Sequence, residues 1–283
     1  MRFDVATDVA LFAESVAGAL AGWEPPREPA LGSWWDERDE RLEVALAELG
    51  WAELWSDPEL LAMVVAGAIE LGRACAPLSL VDEATLGAPL GLGGRVRHGD
   101  GRSRCAVPSV DGLAACSVAG GRREPTLDGV GTILVELGRG ELYTDGHPRL
   151  QAWGAATLGY LAGLAAGAVA TAVSHVGARE QFGASLGALP AVQGRLAESA
   201  LARDGLELVA WGAAHPGSAV FPADALTWAG AACQEVTAQV VQVHGGIGFS
   251  LEGGVHRQYR RAKTVQVWTD AVVAALADAD DCG

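Results

Sequence analysis

Two stretches in the second half of the chain carry residue types that could bind a nucleotide. The segment "AREQFG" places Arg179, Phe182 and Gly183 together at a predicted break between two helices. An arginine can hold a phosphate with a forked pair of N–H donors, and an aromatic side chain offers a flat face to a ring. The segment "QVHGGIGF" has Gln242 followed by three glycines in four positions, where exposed backbone lets a phosphate or a ring come close. A helix end and a helix–helix connection explain the two stretches equally well from local signals alone.

Three other kinds of site do not fit these stretches. A Rossmann loop needs a strand before G-x-G-x-x-G, but here a helix is predicted before the glycines and Leu251 takes the third glycine position. His244 and His256 have no carboxylate between them at a spacing typical of a metal site. We therefore expect no metal, and we expect His244 to be a hydrogen-bonded structural histidine. No G-x-S-x-G nucleophile motif occurs, and no Ser or Cys has a local activating context.

A predicted helix after the glycines carries four basic residues that fall partly on one face. They are Arg257, Arg260, Arg261 and Lys263. Two interpretations remain open: a solvated face that pairs with some of the chain's many acids, or a contact with an anion or a partner.

The amino-acid composition argues against several classes of protein. The formal net charge of −15 argues against nucleic-acid binding, which needs a basic surface. The five cysteines are odd in number, far apart and never in C-x-x-C, so we predict neither a disulfide scaffold nor a structural zinc. A reducing cytoplasm is the expected compartment, and the N-terminal "MRFDVATDVALFAESV" has acids within its apolar stretch, unlike a signal peptide.

One uncharged segment, Gln151 to Ala178, is long enough to cross a bilayer. Alanine, glycine and threonine dominate it, and it contains His175. Small residues of this kind let helices pack closely, so we predict a core helix and no membrane span.

The elements that must position these residues are mostly helical. The first ninety residues read as helices, with Ser56 and Glu59 in capping-box spacing around Pro58. Short β-rich runs joined by turns follow to about residue 148, and helices are predicted over 151–178, 190–213, 222–244 and 254–279. Segregated elements of this kind indicate a mainly α, α+β fold. The predicted domains are a helical domain over 1–90, a β domain over 91–148 and a helical bundle over 149–283.

Several motifs together resemble the acyl-CoA dehydrogenase family. "REQFG…AVQ" resembles that family's R-x-x-F-G segment at the second bundle helix, and "QVHGGIGF…E…R…RRAK" resembles its Q-x-x-G-G-x-G segment and the helix after it. "LAELGWAEL" and "ELGRACAPLSL" resemble its N-terminal helical domain. The resemblance covers nearly all of the chain and is most specific in its C-terminal half. It implies an N-terminal helical domain, a central β domain and a C-terminal four-helix bundle.

The resemblance also implies a cofactor and a set of contacts. The family uses FAD to oxidise an acyl-CoA, with a glutamate that removes the α-proton and an electron-transfer flavoprotein or similar acceptor. In the family, the two segments reach across a subunit interface to the adenine and pyrophosphate side of a neighbour's FAD. Carried over by the resemblance, the cofactor-binding residues here are Arg179, Phe182, Gln193, Gln242, Val243, Gly245 and Gly246.

The chain departs from the family at the base. Counting from Lys263, Thr269 stands where the family often has its catalytic glutamate, and a neutral threonine cannot act as a base. Asp270 becomes a candidate only if the register slips by one residue. The first bundle helix, where some members place the base, reads "LQAWGAAT" and has no carboxylate. The β region is also shorter than in the family, and Pro190 replaces the glutamine expected eleven residues after Arg179.

The chain thus keeps the residues that would contact a neighbour's FAD but lacks the catalytic glutamate. In this it resembles the degenerate subunits of bacterial heterotetrameric acyl-CoA dehydrogenases that act on steroid side chains. The leading hypothesis is a non-catalytic subunit that completes the FAD site of a larger partner with an intact glutamate. The partner would bind most of the acyl-CoA. Two alternatives remain: a self-sufficient homo-oligomeric dehydrogenase that uses Asp270 or Glu252 as base, and a flavin-free scaffold or binding protein derived from the fold.

Overall fold

The computed structural model describes residues 5–25, 38–97, 104–109, 111–124, 126–130, 132–181, 183–215 and 221–277. Its helices and strands are α1 (Thr7–Ala19), α2 (Glu40–Glu48), α3 (Leu61–Arg73), α4 (Ser79–Leu86), β1 (Gly91–Leu92), β2 (Arg95–Arg97), β3 (Arg104–Ser109), β4 (Gly112–Glu124), β5 (Thr132–Leu142), α5 (Gly146–Ala178), β6 (Glu180–Gln181), β7 (Ala184–Ser185), α6 (Pro190–Ala213), α7 (Ala223–His244) and α8 (His256–Ala277). The order is helical, then β, then helical, as the sequence predicts.

Side-chain caps set the start of two N-terminal elements. The Asp39 carboxylate accepts hydrogen bonds from the backbone N–H groups of Arg41 and Leu42, which begins α2. Asp57, one residue later than the predicted Ser56, accepts from the N–H of Glu59 at the 3-10 turn before α3. The capping-box prediction was therefore wrong in register. The Ser56 hydroxyl donates instead to the carbonyl of Glu53, because residues 54–56 already form a 3-10 turn.

The β region is one antiparallel sheet in the order β1-β2-β5-β4-β3. Strands β4 and β5 are longer than the short strands predicted from the glycine-rich sequence. Gly120 and Gly121 lie inside β4, at a register shift between Ala119 and Arg122, where positive φ angles are needed. The glycines therefore allow an irregularity within a continuous strand and do not end it.

Helix α5 is the centre of the protein. It begins five residues before its predicted start, because Pro148 lies in its first turn, where a missing N–H costs nothing. Among the described residues it is the one helix long and apolar enough to cross a membrane, and 78% of its most apolar window is buried inside the protein. Helices α3, α4, α6 and α7 all pack against it. In this structure α5 has the packing of a core helix.

Small residues allow α3 and α5 to pack backbone to backbone. A Cβ added at Gly163 would lie 1.8 Å from the carbonyl oxygen of Ile69, and one added at Gly72 would lie 2.0 Å from that of Tyr160. No side chain larger than hydrogen fits at either position without separating the helices. The alanine- and glycine-rich composition of α5 thus serves close packing.

A buried ionic network joins the helical parts to the sheet. The Asp82 carboxylate of α4 accepts hydrogen bonds from the Arg97 guanidinium of β2 and from the Trp153 indole of α5. Arg97 and Asp82 are at most 1% exposed, so the pair is fully removed from water. Such pairs stabilise a fold weakly as a whole, but the loss of one partner leaves a buried uncompensated charge.

Candidate functional site

The C-terminal ends of α5 and α7 meet at a stacked pair of histidines. The rings of His175 and His244 lie 4.2 Å apart between centroids, with 23° between their planes. Below them, Ala168, Ala172 and Val240 belong to one buried apolar cluster that holds the two helices side by side. The stack therefore brings together the two stretches that the sequence analysis singled out, since Arg179 follows α5 and Gly245 follows α7.

Hydrogen bonding and nearby charge determine the protonation of the two histidines. The Nδ1 of His244 lies 2.7 Å from the carbonyl oxygen of Val240, so this nitrogen carries the proton and donates. The prediction that His244 is a hydrogen-bonded structural histidine is confirmed. Partial burial, followed by the nearby His244 and Arg179, lowers the pKa of His175 below its usual value. The folded protein therefore favours a neutral His175.

The "AREQFG" segment forms a tight hairpin between α5 and α6. Strands β6 and β7 pair in it, with Glu180 opposite Ser185, and Gly183 supplies the turn with a φ of +78°. Arg179 is exposed, and its guanidinium makes no hydrogen bond or ion pair within the part of the chain that the structure describes. Phe182, predicted to contact the cofactor, lies outside the described residues.

The second stretch is an open 3-10 turn after α7. Gly245 has φ +63° and ψ −142°, a conformation that side-chain-bearing residues rarely adopt. A Cβ added at Gly245 or Gly246 would meet nothing within 4 Å, and both residues are exposed. The Gln242 side chain is also exposed. Val243 points into the interior with 9% exposure, so only its backbone can reach a ligand.

Gln193 has a structural partner. Its side-chain amide donates to the carbonyl oxygen of Gly187 at 2.9 Å, which holds the 3-10 turn Leu186–Ala188 against the start of α6. Its own carbonyl oxygen is left for a further contact.

The donor set at the two helix ends fits the adenosine diphosphate part of a nucleotide. The guanidinium of Arg179 matches a phosphate, and the exposed amide of Gln242 matches the edge of a base or a phosphate oxygen. The bare backbone at Gly245 and Gly246 leaves room that a Cβ would otherwise fill. We call Arg179, Gln242, Gly245 and Gly246 the clasp. Because all four are exposed on the surface, the clasp can serve a nucleotide that is held mainly by another chain.

The residues considered for the base differ in burial. Thr269 is fully buried, and its hydroxyl donates to the carbonyl of Val265 within α8. Asp270, the next residue, is exposed on the other side of the helix. Glu252 is exposed in the 3-10 turn Leu251–Gly253. The continuous helix thus points Thr269 into the core and Asp270 into solvent.

The basic residues of α8 differ in their surroundings. Arg261 is 4% exposed and donates to the Asp128 carboxylate, the Tyr160 hydroxyl and the carbonyl of Ala76. It therefore belongs neither to a solvated face nor to an anion site, because it forms a buried link between α8, the sheet and α5. Arg260 donates to the backbone of Leu127, and Arg257 to that of Pro25.

No metal or thiol site is present within the described ranges. They contain no group of three His, Cys, Asp or Glu side chains that could hold a metal ion. Cys75, Cys105, Cys116 and Cys233 are buried, and none of these four forms a disulfide. Burial, with a smaller contribution from Cys116, raises the pKa of Cys105 to about 11, so this thiol stays protonated.

Sequence reasoning missed two features of this region. It did not pair His175 with His244, because the two residues lie far apart in the chain and no local pattern links them. It also missed a cavity between the sheet and α8, which Thr264 and Trp268 help to line. Nothing local in the sequence marks that cavity.

Comparison with known proteins agrees with this fold. Residues 151–269 match the family model of the acyl-CoA dehydrogenase C-terminal domain. A probable acyl-CoA dehydrogenase, FadE25 of Mycobacterium tuberculosis, is 33% identical over 112 residues, which are 38% of this chain and 29% of that relative. The matched part of the chain thus spans less than a third of the relative's length.

Two solved structures have the same architecture over nearly their full length. The ChsE4-ChsE5 complex from Mycobacterium tuberculosis aligns with a TM-score of 0.74 and 17% identity, covering 99% of this chain and 98% of the other. A variant of the Tcur3481-Tcur3483 steroid ACAD aligns with a TM-score of 0.72 and 19% identity, covering 97% of each.

The fold is therefore that of the acyl-CoA dehydrogenases: an N-terminal helical part, a central sheet and a C-terminal four-helix bundle. Within it, residues 151–269 match the acyl-CoA dehydrogenase C-terminal domain. The proteins of this family generally bind FAD.

Proposed function

We propose that this chain is the non-catalytic subunit of a heteromeric, cytoplasmic, FAD-dependent acyl-CoA dehydrogenase. Its partner would be a larger subunit with an intact catalytic glutamate, and the complex would convert an acyl-CoA to the 2-enoyl-CoA. The observation that carries the proposal is the contrast between the two halves of the site. The clasp is exposed and chemically suited to a nucleotide, whereas the base position holds a buried threonine.

The clasp residues would act on the adenosine diphosphate end of FAD in the partner. Arg179 would neutralise pyrophosphate charge, and its exposed guanidinium can do so without breaking an internal ion pair of the described chain. Gln242 and the backbone at Gly245 and Gly246 would fix the orientation of the nucleotide. When bound, FAD accepts the hydride of the substrate, chemistry that no side chain of this protein supplies.

The His175–His244 stack would hold the clasp in register. Arg179 is tied to α5 through its backbone N–H, which donates to the carbonyl of His175 at 2.9 Å. Gly245 directly follows His244. A shift of either helix end would therefore change the position of Arg179 relative to Gly245, so we assign the stack a positioning role and not that of a cofactor ligand.

The lack of a glutamate at position 269 favours a non-catalytic role for the chain. A hydroxyl cannot take the α-proton of an acyl-CoA at neutral pH, and Thr269 has no access to solvent. Asp270 is a carboxylate but faces away from the interior on α8. This geometry disfavours the self-sufficient enzyme.

The substrate proposal is a bulky acyl-CoA of the steroid side-chain type. Its support is the likeness in fold to the Tcur3481-Tcur3483 steroid ACAD and to the ChsE4-ChsE5 complex. An electron-transfer flavoprotein or a similar acceptor would reoxidise the complex.

The decisive experiment is co-expression of the chain with a longer homologue that keeps the catalytic glutamate, which should be sought first in the adjacent open reading frame. We expect the chain alone to be colourless or insoluble, and the co-purified complex to hold about one FAD per heterodimer. Arg179→Ala should lower the bound flavin, measured from the absorbance of the purified complex, while the exposed Arg104→Ala serves as a charge-matched control. Unchanged flavin with Arg179→Ala would favour a flavin-free scaffold role, and a yellow, active preparation of the chain alone would show a self-sufficient enzyme.

A further inference from the structure

A cavity of about 250 Å³ lies between the sheet and one face of α8. Arg95 and Thr132 line it from the sheet, and Lys263, Thr264 and Trp268 line it from the helix. None of the clasp residues takes part in it. The cavity is therefore separate from the proposed nucleotide contacts.

The size and the lining of the cavity suit a ligand with a small apolar group. Pockets for drug-sized ligands usually measure about 300–1,000 Å³, so this one suits a single ring or a short branched chain. The indole of Trp268 and the side chains of Leu127 and Val267 supply the apolar walls. A flat or compact hydrocarbon group would bury its surface against them.

One polar group in the wall lacks a partner. The Thr264 hydroxyl is buried, in a residue only 6% exposed, and makes no hydrogen bond within the described part of the chain. A buried hydroxyl without a partner is unfavourable, and native structures rarely retain one unless water or a ligand satisfies it. A ligand oxygen that displaced the cover of this hydroxyl from the cavity side would satisfy it.

The charges at the cavity favour an anion. The Lys263 ammonium donates one hydrogen bond to the side-chain oxygen of Gln266 at 3.0 Å and has two further N–H donors. The other charged lining residues, Arg95 and Glu124, form an ion pair at 3.2 Å and offset each other. Lys263 therefore gives the cavity a net positive charge.

The geometry points to a binding site for a small monocarboxylate with an apolar body, such as an aromatic or short branched acid. The hydrocarbon part would lie on Trp268, one carboxylate oxygen would accept from the Thr264 hydroxyl, and the other would face Lys263. Charge-assisted hydrogen bonds of this kind are the strong ones.

The test is a titration of the full chain with 4-fluorobenzoate, followed by fluorine NMR. Thr264→Val and Lys263→Gln should each weaken binding by at least about tenfold, and the neutral 4-fluorobenzyl alcohol should bind wild type at least about tenfold less tightly than the acid. Thr269→Val, a buried threonine outside the cavity, and Arg139→Gln, an exposed cation on β5, are the matched controls and should bind as wild type does.

The composition of the chain supplies an independent readout. Lys263 is the single lysine in the sequence, so reductive methylation with carbon-13 formaldehyde labels only its ammonium and the N-terminal amine. The Lys263 methyl signal should shift on addition of 4-fluorobenzoate, even if a cavity variant fails to fold. An unmoved signal at millimolar ligand would overturn the proposal, as would equal affinity for the acid and the alcohol.

Discussion

The ring centroids of His175 and His244 lie 4.2 Å apart, near the C-terminal ends of two different helices. Their contact brings the two nucleotide-type motifs of the chain together. Each histidine lies within one turn of a clasp residue. Helix packing therefore decides how near Arg179 comes to Gly245 and Gly246, and disturbance of the stack should affect the clasp before it affects the rest of the fold.

Stability should decrease as the pH falls through the histidine range. Burial, His244 and Arg179 lower the pKa of His175 in the folded protein, so the unfolded chain takes up this proton at a higher pH than the folded chain does. Acidification below about 6.5, the ordinary histidine pKa, therefore favours unfolding. Urea denaturation at pH 7.5, 6.5 and 5.5 should show a weaker pH dependence in His175→Gln. His147→Gln, at an exposed histidine of α5, controls for the loss of a histidine, and identical slopes in all three proteins would contradict the assignment.

The two glycines of the clasp should respond differently to alanine. Gly245 has a conformation that alanine rarely adopts, so Gly245→Ala should lower the free energy of unfolding by about 1–3 kcal/mol. Gly246 has open space and no positive φ, so Gly246→Ala should leave stability unchanged but obstruct a nucleotide at the backbone. Chemical denaturation and the flavin content of the co-purified complex would separate the two effects. Full flavin content in a stable Gly246→Ala complex would argue against close contact at this residue.

Breaking the buried Asp82–Arg97 ion pair should lower the free energy of unfolding strongly. Asp82→Ala removes the acceptor for Arg97 and for the Trp153 indole, and leaves a buried guanidinium without its counter-charge. We expect a loss of about 3–5 kcal/mol, measured by urea denaturation. Glu124→Ala, which breaks the more exposed Arg95–Glu124 pair, should cost less than about 1 kcal/mol. Comparable losses in both variants would mean that burial does not govern the first pair.

Close packing of α3 on α5 predicts an intolerance of Gly163 to any side chain. Gly163→Ala would place a methyl group 1.8 Å from the carbonyl oxygen of Ile69, so the helices must separate. A loss of about 3 kcal/mol or more is expected. Gly177→Ala, on the same helix in open space, should be neutral or stabilising by up to about 1 kcal/mol. Thermal unfolding of the two variants tests the contrast, which would fail if both behaved alike.

Restoring a carboxylate at the base position should not restore catalysis. Thr269→Glu would bury an unpaired carboxylate in the core, so it should destabilise the protein by a few kcal/mol and give no acyl-CoA oxidation by the chain alone. Asp270→Asn, at the exposed neighbour, should leave the activity of the co-purified complex unchanged. Activity gained by the first variant, or lost by the second, would place a catalytic centre on α8.

The sequence by itself determined the helices and their order, because hydrophobic periodicity, proline and glycine act within a few residues of one another. Helix α6 begins and ends where the pattern predicts, and Gly245 ends α7 for a conformational reason that is visible locally. The motifs at Arg179 and Gln242 were recognisable for the same reason.

Only the tertiary structure decided which of these residues meet and which are buried. Arg261 looked like its basic neighbours on α8, yet it alone of the four lies in a buried network with Asp128 and Tyr160. The direction of Thr269 into the core and the stacking of His175 on His244 likewise depend on how four helices pack. Contacts between residues distant in the chain are set by the balance of burial, close packing and desolvation over the whole molecule, which no short window of sequence contains.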